Sequence, residues 1–373
     1  MGVEEIPFFV ADDHQSLHFV RDLLERAKLA VVKVGSALIT EVEEFSMGGV
    51  AADIRERPWH AVLVSSGAVA VGHELVPSLD PEATEDRHAL SAIGQAALIT
   101  RWQSAFEAHN RVAAQVLLTP DVTDDRTRYL NARAALRALL YHEVIPVVNE
   151  NDAVTTREFR YGDNDRLAAK TAGLVDADIL IILSDIDGLY TGNPAADPSA
   201  EHVPFIPYGE AGKYFDAAQE SLSSVGTGGM RAKLAAARIA IDWGVTTIIA
   251  SGRRQHPIRD LITGEARCTV FEAGEKLSAR KRWLSGVHER AGAVEIDEGA
   301  VKALQNDASL LAVGVTSVSD PFLRGDVIEI RHNDEVVGFG LAACDFTTAK
   351  GKTRDIVLHR DNLILTLGED DDH

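Results

Sequence analysis

Two lysines sit where a chain could handle phosphate. Lys33 ends a short apolar run and is followed at once by Gly35 and Ser36, in Lys33-Val-Gly-Ser36. Lys233 lies one turn into a stretch opened by Gly226, Thr227, Gly228 and Gly229 and continued by Met230, Arg231 and Ala232. Glycine lets backbone approach a ligand closely, and clustered open N–H groups form a concavity for anions. An ammonium group supplies a compact positive charge beside it. The spacing is not Gly-x-x-x-x-Gly-Lys-Ser/Thr, so this is no Walker A loop, and the protein-kinase motifs are absent too. A Lys-x-Gly-Ser by itself is usually an ordinary turn. The case rests on what accompanies it.

Four further segments are polar immediately after apolar runs or at helix starts. Ser65-Ser-Gly-Ala68 offers small residues and open N–H groups, the kind of helix entrance that favours anions. Its plain alternative is tight strand-to-helix packing. Asn149-Glu-Asn-Asp152 and Gly162-Asp-Asn-Asp165 put Asp152, Asp163, Asn164 and Asp165 in turn-like settings, where such residues are common without any function. A carboxylate there can also bind an ammonium or hold a lysine in place. Ser184-Asp-Ile-Asp-Gly-Leu-Tyr190 adds Ser184 and Asp185. Taken together, two lysines, several glycine turns and an Asp/Asn cluster match the needs of phosphoryl transfer, which are positioning and positive charge.

The elements that must carry these residues follow from periodicity. Leu29–Val34, His60–Val64, Val112–Leu118, Val144–Val148, Asp178–Leu183 and Val245–Ala250 are near-continuous apolar runs bounded by turn residues, as expected of strands buried on both faces of a parallel sheet. Arg87–His109, Thr127–Tyr141, Asp165–Leu174 and Met230–Trp243 have helical spacing. Alternation of the two predicts an α/β fold, an open, mostly parallel sheet with helices on both faces. Ligands then bind beyond the carboxyl ends of the strands. Residues 1–28 read as an acidic N-terminal extension with one amphipathic helix, and 29–273 as the α/β domain. From 278 to 367 short strand-like pieces separated by turns predict a small β-rich domain. Residues 368–373 form an acidic tail.

The 373 residues suggest two domains, and the 46% apolar content suffices for a sizeable core. No apolar run reaches the ~18 residues of a membrane span, and the N-terminus lacks the pattern of a signal peptide. With only two cysteines, Cys268 and Cys344, there is no disulfide framework, which points to a reducing, cytoplasmic setting. A formal charge of −20 argues against broad nucleic-acid binding. Between Glu275 and His373 there are 12 basic and 18 acidic residues, a balance of 12 − 18 = −6, which leaves no basic footprint there either.

In order and content, these segments resemble the amino-acid kinase family. The pair Asn149-Glu-Asn-Asp152 and Gly162-Asp-Asn-Asp165, with Ile93-Gly-Gln95 and Leu130-Asn-Ala-Arg133, is most similar to the branch that phosphorylates the γ-carboxylate of L-glutamate at the start of proline synthesis. In the second domain Arg280-Lys-Arg-Trp283, Asp297-Glu-Gly-Ala300, Arg324-Gly-Asp326 and His359-Arg-Asp361 look like the PUA domain of bacterial members. The resemblance implies ATP and Mg²⁺ as cofactors, with no protein metal ligand assigned. Lys33 and Lys233 would stabilise the transferring group and Asp165 would orient them. Ser66, Asp152, Asp163 and Asn164 would hold glutamate. Lys33, Ser184, Asp185 and the loop Thr227, Gly228, Gly229, Met230, Arg231, Ala232, Lys233 would bind nucleotide. It also implies a homo-oligomer, feedback inhibition by proline and hand-off to glutamyl phosphate reductase. The segment between Gly35 and Ser65 is shorter than the family's usual pattern, and Ser184 stands where Thr is common. Relatives acting on aspartate, acetylglutamate, carbamate or UMP share the fold, so the site must decide among them. An RNA-binding protein built on the PUA-like region is the alternative from a different class.

Overall fold

The computed structural model describes residues 13–123, 126–154, 163–194, 197, 199–212, 214–215, 228–274, 291–333, 335–351 and 353–365. It forms two compact units, the first running to Lys276 apart from the short stretch Thr123–Tyr129. The first contains, in chain order, α1 (Asp13–Arg26), β1 (Leu29–Val34), α2 (Ser36–Thr40), α3 (Met47–Arg55), β2 (His60–Ser65), α4 (Ala68–Leu75), α5 (Thr84–Glu107), β3 (Ala113–Leu118), α6 (Arg126–Tyr141) and β4 (Ile145–Glu150). There follow α7 (Asp163–Val175), β5 (Ile179–Ser184), the small hairpin β6 (Leu189–Tyr190) and β7 (His202–Val203), β8 (Phe205–Ile206), α8 (Gly228–Asp242), β9 (Thr246–Ser251), α9 (Pro257–Thr263) and β10 (Cys268–Phe271).

Eight strands form one sheet in the order β3-β4-β2-β1-β5-β9-β10-β8. The run from β3 to β9 is parallel throughout, and β10 returns antiparallel to β9. β4 and β5 are buried along their whole length, as the continuous apolar runs require. After β1 the chain moves to β2 on one side, and β5 adds on the other. The gap between β1 and β5 is therefore the topological switch point, where open α/β sheets form their ligand crevice. Lys33 stands in that central strand, level with Val64 of β2 and Ile182 of β5.

Two helices are locked together behind the β2 end. A Cβ at Gly94 of α5 would come within 1.8 Å of the Ala68 carbonyl oxygen, and one at Gly72 of α4 within 2.0 Å of the Leu90 carbonyl. Only glycine permits that backbone-to-backbone approach. Asp53 of α3, fully buried, accepts hydrogen bonds from the Ile258 and Arg259 N–H groups at the start of α9 and contacts His256 Nδ1 at 2.8 Å. Burial pushes the Asp53 carboxyl above its ordinary value despite these donors.

The expected extension over residues 1–28 is not separate from the core. Val20 and Leu24 of α1 are buried in the first unit's main hydrophobic cluster, and Phe19 meets Phe205 edge-on at 5.1 Å. An amphipathic helix has an apolar stripe to cover, and this one covers it against the sheet's own core. Its first residues, up to 12, lie outside the described residues. Among the described residues no helix is long and apolar enough to cross a membrane.

The second unit contains β11 (Gly292–Ile296), α10 (Glu298–Gln305), β12 (Leu310–Leu311), β13 (Val315–Val318), β14 (Val327–His332), β15 (Glu335–Ala342), α11 (Phe346–Ala349) and β16 (Ile356–Leu365). Six strands run in the order β12-β16-β15-β14-β11-β13 around Val294, Phe322, Ile328, Ile330, Val357 and Leu358. This is the expected β-rich domain, with two short helices, α10 and α11, among its strands. Each opens on an aspartate cap: Asp297 accepts from Ala300 N–H and Asp345 from Thr348 N–H. Arg280 to Trp283 and the acidic tail lie outside the described residues.

Candidate active site

Three charged groups meet at the switch point. Lys33 comes from β1, Asp165 from the first turn of α7 and Lys233 from the second turn of α8. Lys33 Nζ lies 2.6 Å from Asp165 Oδ1, and Lys233 Nζ lies 3.3 Å from Asp165 Oδ2. Lys233 Nζ also donates to the Gly229 carbonyl at 3.4 Å. One carboxylate thus holds two ammonium groups, one on each oxygen. All three side chains are at most a tenth exposed.

Burial pulls the Lys33 ammonium below its ordinary value, and the charge of Lys233 acts in the same direction against the attraction of Asp165. Burial alone would raise Asp165, but the two lysines outweigh it and leave its carboxyl below the usual range. Two lysines therefore share a single carboxylate in a nearly dry place. Such a site has few stable uses other than meeting an anion.

On the β5 side, Ser184 ends the strand and donates to Asp185 Oδ1 at 2.9 Å. The Asp185 carbonyl accepts from Arg253 Nε at 3.0 Å, and Gly252 N–H bonds to the Ser184 carbonyl at 2.7 Å, so the β5 and β9 ends are tied together. α8 begins at Gly228. Among the described residues a Cβ added at Gly229 would meet nothing within 4 Å, and Gly229 and Arg231 are exposed, Met230 half-buried and Ala232 and Lys233 buried. Open N–H groups at a helix start beside two ammonium groups make a fitting cradle for phosphates.

On the β2 and β4 side the site is built from amides and carboxylates. Ser66 follows β2, and its N–H bonds to the Val34 carbonyl at the β1 end. Asp152 follows β4 and accepts from Ser91 Oγ at 2.7 Å. Asn164 precedes Asp165 on α7 and donates from Nδ2 to Asn149 Oδ1 at 3.0 Å. Asn149 in turn donates from Nδ2 to Gln95 Oε1 at 2.7 Å. The positions of Thr227 and of the Asp163 side chain lie outside the described residues. Every other residue given a catalytic, glutamate-binding or nucleotide-binding role from sequence stands at the C-terminal end of β1, β2 or β5, just after β4, or on the first turns of α7 and α8. Ser91, Gln95 and Arg253 were not among those residues. Only Gln95 had a signal, as part of Ile93-Gly-Gln95.

Residues 28–251 match the amino acid kinase family, and residues 292–359 match the PUA domain. The chain belongs to the amino acid kinase family. Among curated proteins, this kinase is 40% identical over 370 residues to the glutamate 5-kinase of Gluconobacter oxydans, covering 92% of this chain and 97% of that one. It is 39% identical to the glutamate 5-kinase of Paramagnetospirillum magneticum, covering 92% and 99%. With the glutamate 5-kinase of Caulobacter vibrioides it shares 42% over 339 residues, covering 87% and 89%. A solved UMP kinase from Bacillus anthracis is 13% identical, covers 67% of this chain and 97% of its own, and overlays with a TM-score of 0.45.

Proposed function

We propose that this kinase moves the γ-phosphoryl group of ATP onto the γ-carboxylate of L-glutamate, giving L-glutamyl 5-phosphate, the first step of proline biosynthesis. The observation that carries the reading is the Lys33–Asp165–Lys233 cluster, placed at the strand divide beside a set of groups suited to an amino acid. In this reading Ser184, Asp185 and the Gly228–Lys233 turn hold the nucleotide, and Ser66, Asp152 and Asn164 hold glutamate. Asp163 and Thr227 belong to the same two half-sites. Asp152 faces the substrate ammonium and Asn164 offers an amide.

The acceptor carboxylate is ionised at neutral pH, so no general base is needed. What the protein supplies is electrostatic. Lys33 and Lys233 leave part of their hold on Asp165 and follow the charge of the transferring group as it passes from donor to acceptor. Asp165 keeps both ammonium groups in place before the substrates arrive. The donor set around the nucleotide is cationic and amide-rich, which suits Mg²⁺ carried on the phosphates, where it would neutralise charge on the leaving oxygen.

The setting we propose is cytoplasmic. The enzyme works as a homo-oligomer, proline competes with glutamate, and the unstable acyl phosphate passes to glutamyl phosphate reductase. The 39 to 42% identity to enzymes named glutamate 5-kinase supports glutamate over aspartate, acetylglutamate or UMP as acceptor. The test is ADP release measured with each of these acceptors in turn. Glutamate should exceed the others in kcat/KM by at least a hundredfold. Preference for any other acceptor would overturn the assignment.

A further inference from the structure

We propose that Ser91 and Gln95, on one face of α5, are positioning residues that fix the donor and acceptor polarity of the glutamate pocket. The inference rests on the glutamate reading given above. The two residues are four apart, hence stacked on the same side of the helix, and both are buried polar groups at 4% and 8% exposure. Each is hydrogen-bonded to a residue of the acceptor half-site or to its neighbour: Ser91 to Asp152, Gln95 to Asn149.

The polarity follows link by link. The Glu150 N–H can only donate, and it donates to Asn149 Oδ1 at 2.9 Å. The Asn149 side chain must therefore turn its NH₂ to Gln95, which presents Oε1. Asn149 Oδ1 also receives Asn164 Nδ2, so Asn164 uses its NH₂ inward. Asn164 Oδ1 is then left as a buried acceptor with no hydrogen-bond partner among the described residues. A buried acceptor without a donor is costly, and a ligand ammonium is the donor that satisfies it. Gln95 Oε1, by accepting from Asn149, holds the Asn149 amide in the orientation that the Glu150 N–H sets, and so supports the atom that Asn164 offers.

The same helix secures the third acceptor segment. Trp102 Nε1 donates to Ser65 Oγ at 2.8 Å, next to Ser66, and the Gly72–Gly94 crossing locks α4 onto α5. One rigid element thus references the segments after β2 and β4 and, through Asn149, the start of α7. The contacts of Ser91 and Gln95 do not include Ser184 or Asp185, and α8 is reached only beyond them, through Asp165. Their disruption should be felt by glutamate and not by ATP.

The experiment uses the full chain with Gln95→Met and Ser91→Ala, together with Ser91→Thr, which keeps the hydroxyl. KM is measured for glutamate and for ATP, and glutarate, which has both carboxylates but no ammonium, is measured as a competing ligand. Each removal variant should raise the glutamate KM about tenfold, the size of one hydrogen bond to a charged group, with ATP KM and glutarate affinity shifted less than twofold. Ser91→Thr should recover most of the loss. A glutamate KM within twofold of wild type, or equal losses for glutamate and glutarate, would overturn the inference, the second result marking a merely structural role. Should Gln95→Met not fold, the Ser91 pair decides alone. Absence of glutamate turnover in the wild-type protein would instead remove the functional reading beneath it.

Discussion

Asp165→Asn isolates the central electrostatic arrangement. The substitution keeps the side chain's shape but removes the one negative charge set between Lys33 Nζ at 2.6 Å and Lys233 Nζ at 3.3 Å. Both ammonium groups are buried, so neither can recover its lost partner from water. Removing one member of a buried ion pair costs about 3–5 kcal/mol, and here one removal strands two cations. The loss is limited because Lys33 can shed its proton, a step that burial already makes easier. Without Asp165 the folded-state pKa of Lys33 falls further below its unfolded value. Between those two values the unfolded chain binds more protons, so stability of the variant rises with pH. We expect the variant to lose about 3 kcal/mol at pH 7 and distinctly less at pH 9. The assay is urea unfolding without ligands at both pH values, followed by tryptophan fluorescence, since Trp59, Trp102 and Trp243 are buried in the first unit. Equal unfolding midpoints at pH 7, or a gap that widens towards pH 9, would refute the idea that Asp165 is there to hold two charged lysines.

Lys233→Ala should lower kcat by about a thousandfold or more while leaving the melting transition cooperative, and Lys233→Arg should not rescue it, because a planar guanidinium cannot take the place of a compact ammonium. Steady-state kinetics decide this, and kcat within tenfold of wild type in either variant would reject the role. Asp152→Ala should raise the glutamate KM about tenfold or more with the ATP KM nearly constant; a collapse of ATP affinity instead would mean the two half-sites are exchanged. Gly94→Ala should cost at least about 3 kcal/mol in chemical denaturation, because its Cβ would stand 1.8 Å from the Ala68 carbonyl oxygen and two helix backbones must separate. Stability within about 0.5 kcal/mol of wild type would show that α4 and α5 are not locked there.

Much of the site was legible because parallel sheets put chemistry where apolar runs stop. Each long β-branched run became a strand, and the polar residues just beyond Val34, Ser65, Glu150 and Leu183 face the same end of the sheet. The glycines before Lys233 likewise marked a helix entrance. What escaped was carried by tertiary contact. Ser91 and Gln95 are single polar residues in a long helix, and nothing in their spacing shows that one meets Asp152 and the other Asn149. Asp53 reaches α9 across some two hundred residues. Cys268–Phe271 is too short to stand out, yet it joins the sheet antiparallel to β9. The amphipathic helix near the acidic start of the chain was legible, but not that its apolar stripe belongs to the core. In the second unit Asp297 and Asp345 were available as cap signals, but the short helices behind them were masked by the surrounding strand pattern.

The most direct measurement traps the product. The enzyme is incubated with ATP, Mg²⁺ and glutamate in the presence of hydroxylamine, which captures an acyl phosphate as a hydroxamate, and ADP is counted in parallel. Wild-type enzyme should give one γ-glutamyl hydroxamate per ADP, and Lys233→Ala should give neither above background. ADP formed without hydroxamate, or hydroxamate formed as fast by the lysine variant, would contradict phosphoryl transfer to a carboxylate by the Lys33–Asp165–Lys233 cluster.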